Sequence, residues 1–108
     1  MALTKIADLW EIVPGQMKAV KTGNKNILIA NVEGKYYAMN NICTHKKGDL
    51  SKGTLDGNIV TCPNHKAKFD VTTGKVISGP KVPLMHPKID DEPTYALIIE
   101  ENGIFVES

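Results

Sequence analysis

The chain has 108 residues, a net charge of +1 and an ordinary apolar share of 42%, which fits one domain over 1–108 and excludes a disordered chain or bulk binding of nucleic acid. All thirteen basic residues are Lys, so the guanidinium fork that suits phosphates and base edges is missing, and no nucleic-acid partner is expected. No apolar run approaches the roughly 20 residues that span a bilayer, and no signal peptide is visible, so no membrane partner is expected either.

In chain order, short β-rich segments alternate with turn residues, and no stretch has a convincing helical period. Leu3–Ile6 and Ile12-Val13 flank a short segment holding Trp10, and Pro14-Gly15 turns the chain. Met17–Lys21 alternates apolar and polar residues; after a turn at Thr22-Gly23-Asn24, Ile27–Val32 is a strong strand rich in branched residues. Glu33-Gly34 joins it to Tyr36–Met39 as a hairpin. Thr54-Leu55 and Ile59–Thr61 flank Asp56-Gly57, a two-residue hairpin signal. Ala67 and Phe69 alternate with lysines, Thr72-Thr73-Gly74 turns back through Val76-Ile77, and the Pro-punctuated loop Gly79–Pro83 follows. A further strand is expected from Ile89, Thr94–Ile99 is strongly apolar, and Asn102-Gly103 is a type I′ turn candidate leading to Ile104–Val106. Trp10, Tyr36, Tyr37 and Tyr95 are expected in the core or half-buried on strands. The sum is an all-β sandwich of antiparallel strands.

The chemistry concentrates between Cys43 and His65. Cys43-Thr44-His45, sixteen spacer residues and Cys62-Pro63-Asn64-His65 contain both cysteines of the chain and two of its three histidines. Each arm offers one thiolate and one imidazole, together a four-coordinate set for zinc or iron. A disulfide would leave the matched histidines unexplained. The hairpin expected within the spacer brings its outer ends together and so returns the second arm to the first. A zinc finger usually groups its cysteines in one arm and its histidines in the other; one of each per arm suits two metal ions better than one. Two cysteines used as ligands leave none for disulfides, which fits the cytoplasm. His86 stands outside the motif as a surface or packing residue.

Cys-x-His…Cys-x-x-His at this separation, with Gly48-Asp49-Leu50, Phe69-Asp70, Gly79-Pro80 and Pro83-Leu84 around it, resembles the Rieske proteins, and most closely their small soluble ferredoxins. The resemblance implies a Rieske-type antiparallel β-sandwich. A cluster-binding subdomain of about 42–84 would be inserted in a basal β domain formed by 1–41 and 85–108. It implies one [2Fe–2S] cluster per chain, with Cys43 and Cys62 on the buried iron and His45 and His65 on the outer iron. Two ferric ions, two sulfides and two thiolates sum to zero charge with neutral imidazoles, so an electron is added to a neutral centre. This places the potential in the Rieske range of about −150 to +300 mV. High-potential relatives add a disulfide at the loops and hydroxyls on a Ser and a Tyr; here Ala67 and Phe69 stand at the hydroxyl positions, so a low potential is expected.

The implied function is a one-electron carrier between a reductase and a terminal acceptor such as an oxygenase component. The chain itself is expected to be no enzyme, though it could serve a multicomponent oxygenase or reductase system as a non-catalytic component. A complete Rieske oxygenase adds a mononuclear iron site, typically two His and a carboxylate, for which only His86 remains. A structural Cys₂His₂ zinc module is the third reading, and colour separates it from an iron–sulfur protein. Lys46, Lys47, Lys66 and Lys68 lie within three residues of a ligand His, where they either solvate the loops or steer an acidic redox partner. Lys46-Lys47 and Lys66 depart from the glycines often found in such loops.

Overall fold

The computed structural model describes residues 3–42, 48–63, 66–79 and 90–107. Eleven strands are present among them: β1 (Leu3–Asp8), β2 (Met17–Thr22), β3 (Lys25–Val32), β4 (Lys35–Asn40), β5 (Thr54–Asp56), β6 (Ile59–Thr61), β7 (Lys68–Asp70), β8 (Val76–Ser78), β9 (Thr94–Tyr95), β10 (Ile98–Glu100) and β11 (Gly103–Glu107). They form three sheets, ordered β1-β11-β10, β2-β3-β4-β9 and β5-β6-β7-β8, and every pairing between them is antiparallel. The strand expected from Ile89, the loop beyond Gly79 and His86 lie outside the described residues.

The middle sheet explains the uninterrupted apolar run of β3. Leu28, Ala30 and Met39 face a core shared with Leu50, Val60, Cys62, Ala67, Phe69 and Val71. Ile27, Ile29 and Ala38 face the opposite way, into a second core with Ile6, Ile12, Ile104 and Val106. A strand covered on both faces has no reason to alternate. Each fully buried branched or aromatic side chain contributes about 1.5–3 kcal/mol relative to exposure. The sandwich therefore has three layers, and the sheet β5–β8 packs on one face of the middle sheet.

Several sequence expectations shift in detail. The β10–β11 turn is Glu101-Asn102, both in the left-handed region (φ 48° and 66°), not Asn102-Gly103. Gly103 already pairs with Glu100 and Asp8, and a Cβ there would lie 3.0 Å from the Phe105 ring. Its smallness thus answers crowding within the sheet. The β5–β6 turn shifts the other way, one residue later than expected, to Gly57-Asn58, because Asp56 pairs with Ile59. Thr94–Ile99 divides between β9 and β10, which belong to different sheets. Trp10 is 76% exposed rather than in the core. It sits on the 3₁₀ turn Leu9–Glu11, where Leu9 packs against the second core and Glu11 is held by Lys18 and the Asp8 N–H. A turn of three residues has only one inward direction, and Leu9 takes it. Tyr36, Tyr37 and Tyr95 are half-buried, as expected.

Candidate metal centre

Both arms of the motif leave and rejoin regular structure at well-defined necks. The first begins after β4. Ile42 and Asp49 form an isolated antiparallel bridge, and the Leu50 N–H donates to the Asn41 carbonyl at 2.9 Å. Side chains reinforce it. Asn41 Nδ2 donates to Asp49 Oδ1 (2.8 Å), which also accepts from the Ser51 N–H (3.0 Å) and hydroxyl (2.5 Å). Asp49 thereby caps the 3₁₀ turn Leu50–Lys52, which seats Leu50 in the core without exposure. Burial pushes the Asp49 carboxyl up, but the Ser51 hydroxyl, the Asn41 amide and the Ser51 N–H outweigh it and hold it below its ordinary range.

The second neck is built from backbone. Thr61 pairs with Lys68, and the Cys62 N–H donates to the Ala67 carbonyl at 2.8 Å. Cys62, Ala67 and Phe69 are fully buried in the same apolar core as Leu50. Lys66 adopts φ 62°, a conformation that favours glycine, so the departure from glycine noted in the sequence is real backbone strain. Beyond β7, Asp70 Oδ1 accepts from the Thr72 N–H (2.9 Å) and hydroxyl (2.6 Å). Burial raises the Asp70 carboxyl, and the bonds from Thr72 and Asn58 more than reverse the effect.

The two necks lie side by side. A Cβ on Gly53, just past the first loop's 3₁₀ turn, would fall 1.8 Å from the Thr61 carbonyl oxygen and 3.2 Å from Pro63 Cδ. Only a residue without a side chain lets the exit of one loop rest on the base of the other. Of the four residues expected to bind metal, Cys62 is placed at this junction; Cys43, His45 and His65 lie outside the described residues, as do Lys46 and Lys47. Lys66 and Lys68 line a hollow of about 520 Å³ on the outer face of β5–β8, with Thr54, Asp56, Ile59, Thr61 and Ile77. Asn41, Ser51 and Gly53 carry the geometry of the necks without standing out in the sequence. The Asp49-Leu50-Ser51 run is a helix-capping pattern that could have signalled them.

A buried thiol at the meeting point of two closed necks, each neck belonging to an arm with one Cys and one His, fits a group bound by one residue pair from each arm. Comparison with known proteins identifies the family. The family model of the Rieske [2Fe–2S] domain matches residues 2–89. The ferredoxin component of biphenyl 2,3-dioxygenase from Rhodococcus jostii (strain RHA1) is 38% identical over 105 residues, covering 96% of this chain and 98% of that protein. Among solved structures, the Sphingomonas yanoikuyae B1 ferredoxin superposes with a TM-score of 0.85 at 25% identity, covering 99% of each chain. A chain of the complex of reduced oxygenase and oxidized ferredoxin in carbazole 1,9a-dioxygenase gives 0.84 at 28% identity, covering 96% of this chain and 91% of that one.

Proposed function

The chain belongs to the Rieske [2Fe–2S] family, and from that premise we propose that Cys43 and Cys62 hold one iron and His45 and His65 the other. It is a Rieske-type ferredoxin with one [2Fe–2S] cluster per chain, an electron carrier rather than a catalyst. The observation that supports the ligand assignment is the close approach of Gly53 to Thr61 and Pro63, which sets the bases of the two arms side by side. A cluster held by these residues would supply one-electron transfer. The chain's own residues set the surroundings: Cys62 is buried against Ala67 and Phe69, neither of which carries a hydroxyl. Fewer donors toward sulfur leave added negative charge less stabilised, which supports a potential low in the family's range.

The electron donor is proposed to be a reductase and the acceptor an oxygenase component, supported by relatives described as ferredoxin components of dioxygenase systems. Residues of about 42–84 are proposed as the cluster-binding subdomain within a basal unit of 1–41 and 85–108. Supporting this, β5–β8 are drawn from 54–78, whereas the strands of the other two sheets come from 3–40 and 94–107. A cytoplasmic location is supported by the use of both cysteines as ligands; no helix among the described residues is long and apolar enough to cross a membrane.

The test is an iron and acid-labile sulfide assay with visible and EPR spectra. Two irons and two sulfides per chain are expected, with the visible absorption lost in Cys43→Ser and Cys62→Ser. A colourless protein containing zinc overturns the assignment.

A further inference from the structure

Asn41 is 5% exposed and commits its backbone and its side chain to the first neck. Its N–H donates to the Asn26 carbonyl (2.8 Å), and its carbonyl accepts from the Leu50 N–H (2.9 Å). Its Nδ2 donates to Asp49 Oδ1 (2.8 Å), and its Oδ1 accepts from the Ser51 N–H (2.9 Å). One residue thus ties the start of β3 to the 3₁₀ turn on which the loop returns, with three bonds crossing the neck. The chemistry requires an amide. A carboxylate can only accept and an N–H can only donate, so the group between Asp49 and Ser51 must do both from one plane. Aspartate at 41 would set two carboxylates against each other. Alanine would remove a partner from Asp49 and from the Ser51 N–H in a partly buried place.

We infer that Asn41 is a positioning residue for the cluster: by fixing the width of the neck two residues before Cys43, it sets how firmly the first loop retains iron. The inference rests on the reading of Cys43 and His45 as ligands. Asn31 supplies a matched control. It is 2% exposed, its Nδ2 donates to the Ile12 carbonyl (2.9 Å), and its Oδ1 accepts from the Gly34 N–H (2.8 Å) at the β3–β4 turn. Its amide likewise donates once and accepts once, though to a backbone carbonyl rather than a carboxylate, and it lies at the other end of β4 from the first loop.

The experiment follows bleaching of the visible absorption of the holoprotein under excess iron chelator. Asn41→Asp is expected to bleach at least about tenfold faster than wild type, the scale of a lost hydrogen bond to a charged group. Asn31→Ala, at an equal or greater loss of thermal midpoint, is expected to bleach at close to the wild-type rate. Exchanging the pair, Asn41→Asp with Asp49→Asn, restores a donor facing a carboxylate and should recover most of the retention. Asn41→Asp bleaching as slowly as wild type, Asn31→Ala bleaching as fast as Asn41→Asp, or an exchanged pair no better than the single variant would each overturn the inference. Should Asn41→Asp fail to load, loading of the exchanged pair supports the inference, and its failure to load overturns it. A wild-type protein without iron and visible absorption would instead overturn the ligand reading, so the two failures remain distinct.

Discussion

At the first neck a short backbone bridge is reinforced by side chains: the Asn41 amide bonds the Asp49 carboxylate and the Ser51 N–H, and the Ser51 hydroxyl bonds Asp49. At the second the closure is made by a β-ladder ending in the Cys62–Ala67 hydrogen bond, laid over a floor of Ala67 and Phe69. One loop depends on a few directed polar contacts, each replaceable by a single mutation. The other depends on apolar burial, where removal leaves a void. Two arms that each carry one Cys and one His are therefore held by different physics, and perturbations should separate them.

The largest expected effect falls on the apolar floor. Phe69→Ala should cost about 3–5 kcal/mol of stability, read from urea unfolding; a cost under 1 kcal/mol would show that the second loop does not depend on this packing. Next, the ligands test whether arms that differ mechanically are electrically alike. His45→Cys and His65→Cys, where the cluster assembles, should each lower the potential by about 100 mV or more, because a thiolate adds negative charge. Voltammetry finding an unchanged or raised potential in an intact cluster refutes the assignment of that histidine. Ala67→Ser with Phe69→Tyr sharpens the contrast by adding polar donors to the apolar arm. The potential should rise by tens of millivolts, roughly 60 mV corresponding to 1.4 kcal/mol for one electron. Hydroxyls seen in place by crystallography without such a rise would refute the role given to the missing donors.

A smaller gain is expected from Lys66→Gly, which relieves a left-handed residue and should stabilise the second loop by about 1 kcal/mol. A loss of stability would show that the Lys66 side chain contributes more than its backbone costs. The smallest effect concerns acid. Asp70 is held below its ordinary range in the folded chain, so the stability it contributes is present above the unfolded value of about 3.9 and is lost as pH falls through the folded one. Wild type should therefore exceed Asp70→Asn in unfolding midpoint near pH 6, with the gap closing below about pH 4. A gap independent of pH would mean that the charge of Asp70 plays no part.

Most of the strands were legible, and a candidate ligand set could be named, because both signals are local. Residue spacing names the donors, and branched runs such as Ile27–Val32 name the strands. What was not legible depends on tertiary neighbours. Nothing in Asn40-Asn41 says which amide will face a carboxylate eight residues on. Gly53 resembles any turn glycine until Thr61 is laid against it. Trp10 looked like core because aromatic residues usually are, but the direction of a short 3₁₀ turn is decided by Leu9. The hairpin turns at Gly57-Asn58 and Glu101-Asn102 moved by one residue because strand register, rather than the glycine, sets which two residues bend.

Pairing of the outermost strands also bears on how the chain is made. Leu3 lies opposite Glu107 and Asp8 opposite Gly103, so the β1-β11-β10 sheet must join residues roughly a hundred positions apart. The hairpins β2-β3-β4 and β5-β6-β7 are local, and they can form before β11 has been synthesised. Cys62 can thus be enclosed against Phe69 before Ile104 and Val106 are made. Ile27 and Ile29 cannot, because the side chains that cover them include Ile104 and Val106. Until those arrive, the nascent protein carries one finished face and one bare apolar face. The bare face is where premature termination or slow release would expose it to aggregation.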